Sequence, residues 1–301
     1  MRSVGLVLQL LLALSTVAFP SETLDVYFIN VGHGDAILVD CGSWEALVDS
    51  GGPTSRWCSD LAKTSGDCGG YCIGCHMALL SSTIDDGLDL AILTHNHEDH
   101  YGGFLFILDA FEVQEFWHSE TLEPDHTAES FELFAQQIQA MPFCPLAHAR
   151  GDQFGIGRMV WTILHPDEPL RSSSNHNKNS LVLLLQYGSV AFLFTGDIQT
   201  PSETIIQTIS LPEGCLVLKV AHHGSDSSTS LDFLEWADPE LAVVSADSDD
   251  LCHQVVMNLT QKGIPFFETY SSGTIKVSTD GETVWVTTEA LAGLDHICED
   301  N

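Results

Sequence analysis

Residues 94–103 read Thr94-His95-Asn96-His97-Glu98-Asp99-His100-Tyr101-Gly102-Gly103. They follow Leu88–Thr94 (LDLAILT), an apolar run of strand length, and lead into a helical stretch over Gly102–Phe111. His95 and His97, two apart in an extended turn, project to the same side and can bind one metal ion. Asp99 and His100 lie on the next bend and can face a second ion close by. Imidazole nitrogens with one carboxylate suit zinc, and also manganese or iron. The bland alternative is a solvated histidine-rich loop. Three histidines and an aspartate within six residues, directly behind a buried strand and ahead of a Gly-Gly helix start, argue against it.

Outward from this motif, short apolar runs alternate with helical stretches. Toward the N-terminus, Leu24–Val31, Ala36–Asp40 and Ala46–Asp49 read as successive strands closed by the turn Ser50-Gly51-Gly52-Pro53. Toward the C-terminus, Thr127–Met141 is helical, and a second set opens with strands at Val160–Leu164, Leu181–Tyr187 and Val190–Thr195. Helix Pro201–Ile209, which starts with proline, comes next. Strand Leu216–Ala221, a helix near Ser230–Trp236, strand Leu241–Ser245, helix Val255–Lys262 and strands Ile275–Ser278 and Val284–Thr287 complete the chain. Two sets of strands, each followed by helices, predict an α/β fold with two sheets packed face to face and helices outside. No linker-like tract divides the chain, so a single domain is expected over 24–290, with 291–301 as a C-terminal tail.

The 301 residues carry 10 Lys plus Arg against 42 Asp plus Glu, a formal charge of −32. So acidic a body repels polyanions and counts against a general nucleic-acid binder. At 44% hydrophobic and 17% charged residues, it has the apolar matter for a core and is not a disordered acidic tail. Arg2, the apolar run Val4 to Leu14 and Thr16-Val17-Ala18 read as a signal peptide over 1–18, too short for a membrane anchor. A secreted or lumenal protein is expected. Export favours disulfides among the nine cysteines, four of which lie between Cys58 and Cys75 in a Gly- and Ser-rich stretch. Residues 53–80 therefore read as a disulfide-stapled surface insertion rather than a metal site with His76, and the odd count leaves at least one thiol free or paired with another chain. Asn258-Leu259-Thr260 is a glycosylation sequon.

His-x-His-x-Asp-His behind a buried strand resembles the metallo-β-lactamase superfamily. The likeness extends through Val31-Gly32-His33-Gly34-Asp35-Ala36, Leu47-Val48-Asp49-Ser50-Gly51-Gly52, Leu193-Phe194-Thr195-Gly196-Asp197, Leu218-Lys219-Val220-Ala221-His222-His223-Gly224-Ser225 and Ser272-Gly273-Thr274-Ile275, in the family's order. Within the superfamily the chain is most similar to the hydrolase domain of bacterial competence (DNA-uptake) proteins and to secreted phosphorylcholine esterases. The resemblance implies a four-layered αβ/βα sandwich with two divalent metal ions between the sheets, zinc or manganese.

It further implies that His95 and His97 bind one metal, Asp99 and His100 the other, and that Asp197 bridges them; Asp197 otherwise reads as a helix cap. One of His222 and His223 ligates the metal of Asp99 and His100, with His223 favoured. The other contacts substrate oxygens or protonates a leaving group. His176 is the candidate for the third ligand of the first metal, with His165 next, whereas His118 reads as an ordinary histidine. Asp49 resembles an aspartate that orients ligating histidines, a role Asp35 can share. Lys219 lies beside the last motif. His33 stands where the resembled branch usually has glutamine, and His253 where similar proteins have a Gly-His-Pro segment; His253 reads either as a contact to substrate phosphate or as an ordinary helix-start histidine.

Two metals imply a hydroxide held between them near neutral pH, attacking phosphorus or carbonyl carbon without a protein nucleophile. Gly-x-Ser-x-Gly is absent. The competence-type likeness points to phosphodiesters. The negative charge, with only Lys178 and Lys219 near the motifs, points to a small or cationic-headed ester substrate over long DNA. The rival readings are a lactone, thioester or β-lactam hydrolase on the same site, a non-catalytic exported binding protein, and an iron-dependent oxygenase.

Overall fold

The computed structural model describes residues 23–52, 80, 81, 83, 84, 87–119, 129–143, 145–168, 175–289 and 295–298. The expected signal segment, the cysteine-rich stretch with His76, and 169–174 lie outside them. Two sheets face each other. The first contains β1 (Leu24–Phe28), β2 (Ile37–Asp40), β3 (Glu45–Val48), β4 (Leu88–Leu93), β5 (Val113–His118) and β6 (Leu146–Ala147) in sequence order. The second runs from β7 (Gln153–Ile156) through β8 (Met159–His165), β9 (Val182–Tyr187), β10 (Val190–Phe194), β11 (Cys215–Lys219) and β12 (Leu241–Val244) to β13 (Phe266–Glu268). The chain then returns to the first sheet. β14 (Ile275–Thr279) pairs with β1 in the register Leu24↔Thr279, and β15 (Val284–Thr288) and β16 (Asp295–Cys298) extend that edge.

Strand parity explains the layers. In β4, Leu90 and Ile92 point between the sheets while Ala91 and Leu93 point outward. In β10, Phe192 and Phe194 point inward, and Ala191 and Leu193 outward. Each strand is buried on both faces, which is why these segments read as unbroken apolar runs. The outer face of the first sheet is covered by α2 (Phe104–Ala110) and α3 (Glu129–Ala140) through Phe104, Ile107, Phe134 and Ile138. The outer face of the second is covered by α4 (Thr200–Ile206), α5 (Leu231–Ala237) and α6 (His253–Lys262) through Ile206, Phe233, Val255 and Leu259. Helices, two sheets and helices make the expected four-layered single-domain sandwich.

Several details differ from the sequence reading. The motif already turns helical at α1 (Glu98–Tyr101), so Asp99 and His100 occupy a helical turn, and Gly102-Gly103 separates it from α2. β5, β6, β7, β13 and β16 have no counterpart among the expected strands. β6, β7 and β13 are short and exposed or half-exposed, and β16 lies inside the stretch expected as a tail. Asn258 is buried and donates to the Thr229 carbonyl at 3.1 Å, so the sequon is closed to glycosylation in the folded chain. Cys252 carries a free thiol. No described helix is long and apolar enough to cross a membrane.

β3 to β6 run parallel to one another, as do β10 to β13. The carboxyl ends of the two parallel sets meet at one edge of the sandwich, where loops of both sheets converge.

Candidate metal centre

At that edge β4 delivers His95 and His97, α1 delivers Asp99 and His100, β10 delivers Asp197, and β11 delivers His222 and His223. Among the described residues, two groups of ligating atoms meet at Asp197, while Asp35 and Asp49 gather behind His100. Asp99, His100, Asp197 and His223 make one; His95, His97 and the same Asp197 make the other. Asp197 Oδ2 lies 3.8 Å from His95 Nε2, 3.4 Å from His100 Nε2 and 3.5 Å from His223 Nε2. It is the oxygen that both groups share.

The local backbone is shaped to bring these atoms together. Gly196 has φ +49 just before Asp197, and a Cβ there would meet Ser180 Cβ at 2.9 Å, so the turn needs glycine. Gly34, at φ +130, lies so close to the Asp99 carbonyl that a side chain would displace it. Asp49, His222 and His223 have φ of 56, 52 and 54, left-handed values that cost a non-glycine residue about 1–3 kcal/mol each. Such strain clusters where side-chain direction matters more than backbone ease.

Neighbours fix the imidazole tautomers. Asp49 accepts the Thr94 amide at 2.8 Å, the Thr94 hydroxyl at 2.7 Å and His100 Nδ1 at 2.8 Å. His100 therefore keeps its proton on Nδ1 and turns Nε2 inward. His223 Nδ1 donates to the Ser245 carbonyl at 2.9 Å, which aims Nε2 at Asp99 Oδ2, 3.3 Å away. The Thr94 hydroxyl proton is committed to Asp49, so its oxygen accepts from His95 Nδ1 at 3.1 Å, and His95 Nε2 faces His97 Nδ1 at 3.0 Å.

Charge divides the two groups. Burial pulls His100 and His223 down, but Asp197 and its neighbouring carboxylates outweigh it, raising His100 well above the usual range and His223 to about 9. Burial likewise pushes Asp197 and Asp99 up, and the imidazoles overcome it and hold both carboxylates well below theirs. His95 and His97 go the other way: burial, with repulsion from the His100 imidazolium, keeps both lowered against the opposing attraction of Asp197 and Asp99.

The donor set fits a pair of divalent cations. His100 Nε2, His223 Nε2 and Asp197 Oδ1 are buried without a hydrogen-bond partner, which a buried polar atom rarely tolerates. Two ligands on a tetrahedral ion with bonds of about 2.0–2.1 Å stand roughly 3.3 Å apart. The Asp99–His100, Asp99–His223, Asp197–His100 and Asp197–His223 spacings of 3.6, 3.3, 3.4 and 3.5 Å match that edge.

The remaining expected residues are placed as follows. His222 is partly exposed, 3.8 Å from Asp197 Oδ2 through Nε2, with that nitrogen 3.2 Å from the Asn177 amide and Nδ1 3.2 Å from the Ser227 hydroxyl. His176 lies outside both groups, its ring edge-on to His97 at 5.3 Å. His165 is also outside: its Nε2 donates to the Lys178 carbonyl at 2.7 Å and holds the turn that carries His176. His118 ends β5 and joins neither group, and His253 opens α6 exposed to solvent. Lys219 and Asp35 are buried as an ion pair, and the Lys219 ammonium also donates to the Gly196 carbonyl at 3.3 Å. Sequence reasoning missed Asp250, which pairs with His33 Nδ1 at 2.9 Å while His33 Nε2 reaches Asp99 Oδ2 at 3.2 Å. No local pattern marks Asp250; only the approach of two distant loops makes the pair.

Comparison with known proteins agrees with this geometry. A family model for the metallo-beta-lactamase superfamily matches residues 24–248. ComE operon protein 3 of Bacillus subtilis is 27% identical over 260 residues, 84% of this chain and 32% of that protein. Recombination protein 2 of Haemophilus influenzae is 27% identical over 247 residues, 81% of this chain and 27% of that one. The chain thus spans about a third or less of the length of these curated relatives. Among solved structures, the metallo-beta-lactamase fold protein YhfI from Bacillus subtilis matches 86% of this chain and 100% of its own, with a TM-score of 0.53 at 13% identity. From its strand order to its shared aspartate, the chain belongs to the metallo-beta-lactamase superfamily.

Proposed function

We propose that this chain is an exported phosphodiesterase of the two-metal kind, using zinc or manganese. The carrying observation is the position of Asp197 Oδ2, between His95 on one side and His100 with His223 on the other. His95, His97 and Asp197 would hold one cation; Asp99, His100, Asp197 and His223 the other. A cation pair there supplies Lewis acidity and brings the ionisation of a water toward neutral pH. Asp49 and the Ser245 carbonyl keep the Nδ1 protons of His100 and His223 in place, so Nε2 is the nitrogen that each ring would give up to a cation. His222 stands at the solvent side of Asp197, where Nε2 can bond a substrate oxygen or pass a proton to a leaving alcohol.

The likeness to competence-type hydrolase domains supports phosphorus over carbonyl carbon. Charge narrows the substrate. Lys219 is sequestered by Asp35, which leaves exposed Lys178 as the cation near the motifs among the described residues. A small phosphodiester fits that setting better than a long polyanion. The N-terminal apolar run supports export.

Hydrolysis of bis(4-nitrophenyl) phosphate by the mature chain, loaded with zinc or manganese, tests the reading. Turnover that disappears with chelator and in Asp99→Ala is expected. A metal-loaded chain that leaves phosphodiesters intact would overturn it, and activity on lactones or thioesters would then mark the carbonyl alternative.

A further inference from the structure

His33 joins two loops across the mouth of the centre. It lies between β1 and β2, while Asp250 lies between β12 and α6, in the opposite sheet. The His33 side chain is 55% exposed, yet both ring nitrogens are engaged, Nδ1 by Asp250 at 2.9 Å and Nε2 by Asp99 at 3.2 Å. Its ring lies 4.6 Å from that of His223. Asp250 is itself anchored, because its Oδ2 accepts the Asp247 amide at 2.7 Å and the Cys252 amide donates to the Gly224 carbonyl at 2.9 Å. Asp99 is the most exposed member of its group, at 23% against 0–2% for His100, His223 and Asp197. A carboxylate on a single helical turn at the surface has rotamers to choose from, and His33 removes that choice.

We infer that Asp250 and His33 form a relay that positions Asp99 for the second cation, an inference that rests on the two-cation reading above. Asp250 sets the ring plane of His33, and His33 holds Asp99 Oδ2 toward His100 and His223. Outer partners of this kind are worth about 10–100-fold in metal affinity. The relay touches only one of the two groups, so its loss weakens one equivalent of metal and spares the other.

Zinc uptake by the metal-free full chain, measured against a chromophoric chelator, tests this, with the visible spectrum of the cobalt-loaded chain as a second readout. In His33→Ala, one equivalent loses about tenfold in affinity with a changed cobalt spectrum, and the other stays within twofold. Asp250→Ala loses less, and the double variant is no worse than His33→Ala, because Asp250 acts only through His33. An unchanged pair of equivalents in His33→Ala, or losses that add in the double variant, overturns the relay. Should alanine disturb folding, His33→Gln serves: unequal weakening supports the relay and equal weakening refutes it. The titration reads metal uptake alone, so its result is separate from whether phosphodiesters are hydrolysed.

Discussion

The two halves of the metal centre share an oxygen but are built differently. Around Asp99, His100 and His223, each imidazole has its outer nitrogen tied to a strong acceptor, the Asp49 carboxylate or the Ser245 carbonyl. Around His95 and His97, the outer support is a threonine hydroxyl for His95, and His97 is half-exposed with its ring against His176. In one half the imidazoles carry charge and are held by strong acceptors; in the other they are neutral and more lightly held. The contrast teaches that preorganisation comes from whatever holds the ligands rather than from the ligands themselves.

The contrast can be broken most forcefully at the shared atom. Asp197→Ala should abolish the coordinated uptake of both equivalents and lower turnover by more than the roughly 10–100-fold that an outer partner is worth, as read by metal analysis beside kinetics. Retention of one full-affinity equivalent would mean the halves are independent. Asp49→Ala is next. It frees His100 Nδ1 and leaves the Thr94 amide unpaired in a buried place, so the charged half should lose about 10–100-fold in affinity. Unfolding should become easier by about 1–3 kcal/mol, measured by denaturant titration. Asp49 reaches the other half only at one remove, through the Thr94 hydroxyl beside His95, so a larger loss there than in the charged half would erase the distinction.

The third test uses protons. With His100 raised and His223 at about 9, the charged half holds protons at pH 7 that a cation must expel, whereas lowered His95 and His97 are already neutral. Affinity of the charged half should therefore climb by up to about tenfold per pH unit per proton from pH 7 toward 9, and that of the neutral half should stay flat. Calorimetry in buffers of different ionisation enthalpy counts the protons for each equivalent. Matching counts would contradict the division of charge.

Much of this centre was legible in the chain. His95, His97, Asp99 and His100 sit within one short segment; Asp197 and the His222-His223 pair each follow an apolar strand, and the resemblance to the superfamily is what assigns them to the same centre. Other features resisted. The choice between His222 and His223 depends on two successive left-handed residues, a backbone state that sequence does not advertise for histidine. His176 carries suitable spacing, and the turn that bears it, anchored through His165, sets its ring edge-on to His97 and outside the two groups. His33 and Asp250 acquire their partnership only when loops of opposite sheets close on each other. The fold was easier, because strands buried on both faces announce themselves as apolar runs; β7 and β13, half in water, do not.

The buried pair of Lys219 and Asp35 has a further consequence, mechanical in kind. Each half of the metal centre takes residues from both sheets, so a sideways slip of one sheet over the other would pull ligands apart while leaving each sheet intact. Within 4 Å, the buried ammonium meets the Asp35 carboxylate from the opposite sheet and, among the described side chains, otherwise that of Asp197, 3.9 Å away. The pair thus works as an alignment pin: it locks the sliding coordinate of the sandwich at the register in which the catalytic edge is whole.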